Sequence, residues 1–263
     1  MARPEGRHPW RAALAGLLLG VLVGQGVTLV LLWRSVPAYQ AFWGRAHGRS
    51  GGLLYVALGD SAAQGIGASR PQRGYVGLLA DDLSRCSRRP VRVVNLSVSG
   101  ARVRDVDDQL AELRRRGLHP DLLTVDVGGN DVRTGYRAAV FRRDVDRMTA
   151  ALPRSTVVLD VPWFMHGHWE HDALGASRVL TASARRRGLV VAPLQAALQS
   201  RGWASMLTLY AADLFHPDDE GHALWARTVW SVLPPALRDR CPTGPSPLSR
   251  SGFRADSGGS TTQ

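Results

Sequence analysis

The chain has 263 residues, 44% of them apolar, which suits one sizeable core domain with appendages and excludes a wholly disordered chain. Its formal net charge is +11, and all 33 basic residues are arginine. They fall in short scattered runs, such as Arg114 to Arg116 and Arg185 to Arg187, with no nucleic-acid recognition module around them, so no nucleic-acid partner is expected.

Residues 1–11 are a short basic N-terminus. Ala12 to Leu32 is an uncharged apolar run of 21 residues, about the length that crosses a hydrocarbon core of roughly 30 Å. Trp10 and Trp33 stand at its edges, as interfacial belts require. The run is longer than the apolar stretch of an ordinary signal peptide, and no small-residue cleavage site follows Leu32. These features favour an uncleaved signal anchor, with the main domain outside the cytoplasm; secretion after cleavage is the alternative. Residues 33–52, with Pro37, several glycines, Arg45 and Arg49, read as a juxtamembrane linker.

From residue 53 to 241 short apolar runs alternate with amphipathic stretches. The runs Leu53–Leu58, Val91–Leu96, Leu122–Val127, Thr156–Val161 and Leu189–Ala192 are rich in Val and Leu without strict alternation, the mark of strands buried on both faces. The intervening stretches, Tyr75–Arg85, Val103–Arg116, Tyr136–Leu152 and Asp172–Arg187, predict helices, and a last helix is expected from Asp218 to Leu233, stopped by Pro234-Pro235. Strand–helix alternation of this kind predicts an α/β fold, a three-layer sandwich with a central, mostly parallel five-stranded sheet. Residues 242–263 are rich in Ser, Gly, Pro and Thr and read as a disordered tail. Cys86 and Cys241 lie in no metal-binding spacing; one bridge or two thiols both remain open, because Cα separation decides and the sequence does not supply it.

Three distant segments carry reactive groups. Gly59-Asp60-Ser61 puts a hydroxyl just after the first strand. Gly128-Gly129-Asn130-Asp131 puts a side-chain amide after the third, and Asp213-Leu214-Phe215-His216-Pro217 places a carboxylate and an imidazole three residues apart before the last helix. Acyl transfer needs a nucleophile, a base, a group that orients the base, and donors for an oxyanion. Open parallel sheets build sites at the carboxyl ends of their strands, so these loops can converge. Each residue also has a plain structural reading: Ser61 as a helix cap, Asn130 and Asp131 as turn formers, His216 as a helix-entry residue. Their joint order favours the chemical reading. Asp60 is expected to hold the turn that aims Ser61, and His222 to pack in the last helix.

In these blocks the chain resembles the SGNH hydrolases, also called GDSL-type esterases and lipases. The resemblance rests on Gly59-Asp60-Ser61 with its extension through Gly67, on Gly100, on Gly128 to Asp131, and on Asp213-x-x-His216-Pro217 followed by Gly221-His222. It spans about Leu53 to Leu233. The membrane segment, the tail and the loop around His166 depart from the family pattern. The resemblance implies an SGNH (flavodoxin-like) fold and a serine esterase. Ser61 would be the nucleophile, His216 the general base and Asp213 its orienting carboxylate. The N–H groups of Ser61 and Gly100 and the amide of Asn130 would form the oxyanion hole. It implies neither metal nor organic cofactor. The partners implied are a small or polymer-linked ester and, through residues 12–32, a membrane; oligomeric state is left open.

Two other patterns compete. Gly65-Ile66-Gly67 lacks the third glycine of a dinucleotide loop. His166-Gly167-His168-Trp169-Glu170-His171 has the composition of a metal site but no H-E-x-x-H pattern, and is expected to be a polar, aromatic loop lining the acyl or alcohol pocket.

Overall fold

The computed structural model describes residues 9–48, 51–164 and 167–239. A 35-residue helix, α1 (Pro9–Trp43), opens the described chain. In chain order there follow β1 (Leu53–Gly59), α2 (Ser61–Gln64), α3 (Tyr75–Ser87), β2 (Val91–Asn95), α4 (Val106–Arg115), β3 (Leu122–Asp126), α5 (Gly129–Arg133) and α6 (Ala138–Ala151). The remainder is β4 (Thr156–Leu159), α7 (His168–Arg186), β5 (Val190–Ala192), α8 (Leu194–Gln199), α9 (Ser205–Thr208), α10 (Asp219–Ser231) and α11 (Pro235–Arg238).

The five strands are parallel, in the order β2-β1-β3-β4-β5. β1 and β3 are neighbours, and the chain leaves β1 toward β2 on one side and leaves β3 toward β4 on the other, so the connections diverge between their ends, the switch point where open α/β sheets bind ligands. The register brings the strand ends level there: Gly59 lies beside Asp126, and Ala57 beside Asn95.

The alternation of side chains along β1 explains the layers. Leu53, Tyr55 and Ala57 face a core shared with α3, α10 and Trp43. Val56 and Leu58 face a second core built with α4, α6 and α7. Both faces are covered, which is why the strand reads as a continuous apolar run.

One predicted element is corrected. Residues 33–43 of the expected linker are helix, and α1 continues through Pro37. Proline removes one backbone donor and leaves the Trp33 carbonyl without its usual partner. The turn beyond it persists because Tyr39 and Trp43 are buried against the domain. His47 then adds a short antiparallel bridge to Val93 on edge strand β2. Cys86, near the end of α3, is disulfide-bonded. Cys241 and the tail at 242–263 lie outside the described residues.

Candidate active site

Ser61 is the first residue of α2, directly after β1. The turn that presents it is heavily specified. Gly59 has φ +144°, and a Cβ there would lie 2.4 Å from the Asp126 carbonyl oxygen, so no other residue fits without moving β3. Gln109 on α4 clamps the same glycine: its Oε1 accepts the Gly59 N–H at 2.8 Å and its amide donates to the Gly59 carbonyl at 2.8 Å. Asp60 caps α2 by accepting the Ala62 N–H at 2.9 Å.

The Asp213–Pro217 loop closes over this turn. Asp213 Oδ1 accepts the backbone N–H groups of Phe215 and His216, at 3.1 and 3.0 Å. Leu214 takes a left-handed conformation, φ +52°, to let the carboxylate fold back. Gly67, at φ +97°, permits the contact between the two loops, since a Cβ there would sit 2.2 Å from the Pro217 carbonyl oxygen and 3.1 Å from His216 Cβ. Backbone contact therefore accounts for the Gly65-Ile66-Gly67 pattern.

The result is a linear relay. The Ser61 hydroxyl lies 2.8 Å from His216 Nε2, and His216 Nδ1 lies 2.6 Å from Asp213 Oδ2. Burial alone would raise the Asp213 pKa, but hydrogen bonds from the His216 ring and from two backbone N–H groups bring it below the ordinary carboxylate value. An ionised Asp213 only accepts, so Nδ1 carries the imidazole proton and Nε2 is left to accept the Ser61 hydroxyl.

Asn130 stands on α5, just after β3. Its Nδ2 donates to Asp60 Oδ2 at 3.1 Å and to the Ala101 carbonyl at 3.0 Å. Among the described residues nothing accepts the N–H of Ser61 or of Gly100. Ser61, Gly100, Asn130, Asp213 and His216 all border one cavity of about 520 Å³, whose opposite wall is Leu32, Trp33, Val36 and Pro37 of α1. The five site residues predicted from the sequence thus converge. A larger cleft, about 730 Å³, lies between the end of α1 and α3 and contains none of them.

A set of buried and half-buried carboxylates underlies the site. Burial raises Asp60 to about 6, against the opposing pull of the Ala62 N–H and His216. It likewise raises Asp131 to about 6, where Asp131 Oδ2 accepts the Val103 N–H, and Asp160 to about 6, where Asp160 Oδ1 accepts the Gln195 N–H. Asp126 goes well above the ordinary range, by burial first and then by the charges of Asp60 and Asp160. Asp126 and Trp225 border a second, small cavity of about 20 Å³ against Ser61 and His216.

His222 lies on α10 and is fully buried. The Tyr75 N–H donates to its Nδ1 at 3.3 Å and its Nε2–H donates to the Ile66 carbonyl at 3.1 Å. Burial lowers its pKa to about 4, so it is a neutral packing residue that ties α3 to the loop after Ser61.

The predicted loop at 166–171 is corrected. His168 begins α7, and Glu170 accepts the Trp163 indole N–H at 3.1 Å; His166 lies outside the described residues. From this region it is Pro162 and Phe164 that border the small cavity, with Phe164 stacked on Phe215 at 5.4 Å. The sequence reading missed these residues, together with Gln109 and the α1 wall. The 4-3-4 spacing of Leu32, Val36, Tyr39 and Trp43, a single helical face, was the available signal for the last.

Comparison with known proteins follows the same lines. Residues 57–224 match the GDSL-like Lipase/Acylhydrolase family, and the chain belongs to that family. A GDSL-like esterase of Mycobacterium tuberculosis is 24% identical over 197 residues, which are 70% of this chain. The chain spans 63% of that relative's length. Among solved structures, a catalytic mutant of the acetylxylan esterase Axe2 from Geobacillus stearothermophilus has a TM-score of 0.56 at 23% identity, covering 68% of this chain and 93% of its own. TesA has a TM-score of 0.54 at 24% identity, covering 71% of this chain and 99% of its own. The likeness to these two is one of fold.

Proposed function

We propose that this chain is a serine esterase that cleaves a carboxylic ester through an acyl-enzyme on Ser61. The observation that carries the reading is the relay of Ser61 Oγ, His216 and Asp213 at 2.8 and 2.6 Å, in a chain of this family. Ser61 Oγ attacks the ester carbonyl while His216 Nε2 takes its proton. Asp213 holds the ring and supports the imidazolium. The oxyanion is held by the N–H groups of Ser61 and Gly100 and by the Asn130 amide. Collapse expels the alcohol, which receives the proton from His216. Water, deprotonated by the same nitrogen, then attacks the acyl carbonyl, and Ser61 leaves with that proton.

Three ester classes fit such a site: a lipid ester, a lysophospholipid, or an O-acetyl group on an envelope polysaccharide, the last by analogy with the acetylxylan esterase. The residues 16–43 of α1 are long and apolar enough to cross a membrane, which supports an anchored enzyme, and we place its domain outside the cytoplasm. Transfer to an alcohol acceptor would use the same groups.

The test is covalent labelling of the full chain, in detergent, with a small fluorophosphonate, the adduct being mapped by peptide mass spectrometry. One adduct is expected on Ser61, lost in Ser61→Ala and suppressed in His216→Ala. A folded protein that stays unlabelled would have no activated serine, and a non-catalytic binding module on the same fold would replace the esterase reading.

A further inference from the structure

The C-terminal part of α1 is fastened to the loop that follows Ser61. The Tyr39 hydroxyl donates to the Ala68 carbonyl at 2.7 Å, and the Trp43 indole N–H donates to the Gln64 carbonyl at 2.9 Å. Both side chains are buried, at 8% and 6% exposure. On the same face, toward the N-terminus, come Val36 and Leu32, and these border the 520 Å³ cavity that holds Ser61 and His216. Ile66 and Phe215 complete an apolar lining. The volume falls in the range of roughly 300–1,000 Å³ usual for small-molecule sites. Further along the helix, Leu17, Leu22, Val27 and Leu31 are exposed apolar residues on the membrane-length segment. Val98 and Leu214, two residues before Gly100 and His216, are exposed apolar side chains on the loops that border the cavity, and Trp33 is 70% exposed on α1.

We propose that α1 is a wall of the substrate site, and that the site takes the acyl chain of an ester resident in the membrane. The proposal rests on the esterase reading of Ser61 and on α1 lying in a bilayer. A chain laid along Val36 and Leu32 runs from the Ser61 hydroxyl toward the apolar segment of the same helix without crossing water. An acetyl group on a sugar has no use for that wall. Burying each further methylene favours binding by about fourfold, so the wall selects for long acyl groups. The wall also bears on processing. A cut after Leu32 would divide it, and a cut beyond Trp43 would remove two buried side chains from the domain. On this proposal the working enzyme keeps the helix.

The test uses the full-length protein in mixed micelles with 4-nitrophenyl acetate and 4-nitrophenyl decanoate. Val36→Trp fills the groove; Leu32→Trp fills it one turn away and serves if the first variant fails to fold. The ratio of kcat/KM for decanoate over acetate should fall at least tenfold in either folded variant. A ratio within about twofold of the parent, whether both activities persist or both decline together, overturns the wall. A parent that turns over neither ester and leaves Ser61 unlabelled overturns the esterase reading, and the wall falls with it.

Discussion

In the free site both amide hydrogens of Asn130 are engaged, by Asp60 Oδ2 and by the Ala101 carbonyl. An oxyanion held there as proposed has to draw one of them away, and it offers a full charge in place of the neutral Ala101 carbonyl. Asn130→Ala is expected to lower kcat on a model ester by about a hundred- to thousandfold. The same substitution removes two hydrogen bonds at the edge of the site, each worth roughly 1 kcal/mol, so its melting temperature should change little by comparison. Parallel measurement of kcat and of thermal unfolding checks the separation. A large loss of stability with a small loss of rate would make Asn130 a structural residue of the turn.

At the scale of elements, the grip of α4 on β1 positions Ser61, the proposed nucleophile. Gln109 is buried and spends both ends of its amide on the Gly59 backbone. Gln109→Leu strands the buried Gly59 N–H, while the Gly59 carbonyl keeps the Val98 N–H at 3.1 Å, at a cost of about 1–3 kcal/mol. A lower denaturation midpoint, together with slower labelling of Ser61, is the expected pair of results. Chevron-free equilibrium unfolding in urea is enough to read the first. The sequence made the strands visible because parallel strands covered on both faces leave unbroken Val and Leu runs, and the chemical segments visible because each follows such a run. It concealed the end of α1, because Pro37 and the nearby glycines have the composition of a linker while burial of Tyr39 and Trp43 maintains the helix. The start of α7 was hidden for a similar reason. His168, Trp169 and His171 are weak helix formers, and the Trp163–Glu170 hydrogen bond that anchors the turn joins residues no local pattern relates. Gln109 was equally silent, since one glutamine in an amphipathic helix has no signature until its partner is known.

For the molecule as a whole, titration follows from burial. Asp60, Asp131 and Asp160 are each raised to about 6, from an unfolded value of about 3.9. Between these values the folded state binds more protons than the unfolded one, so stability falls as pH rises from about 4 to 6. His222 works the other way: lowered to about 4 by burial, it stays neutral while the unfolded histidine gains a proton below about 6.5, so its contribution rises with pH across that window. Asp126, raised well above the ordinary range, acts in the same direction as the three, so four groups oppose one, and thermal unfolding of the full chain in detergent should give a lower melting temperature at pH 6.5 than at pH 4.5. Asp160→Asn keeps an acceptor for the Gln195 N–H and should shrink that difference; an unchanged difference would remove Asp160 from the account. The two hydrogen bonds that fasten Tyr39 and Trp43 have a different reach. If α1 is seated in a bilayer as proposed, they would work as a depth gauge, fixing the height of Ser61 above the lipid. Encounter with the proposed membrane-resident ester would then become a two-dimensional matter, set by surface density rather than by bulk concentration, with no need to capture the substrate from solution.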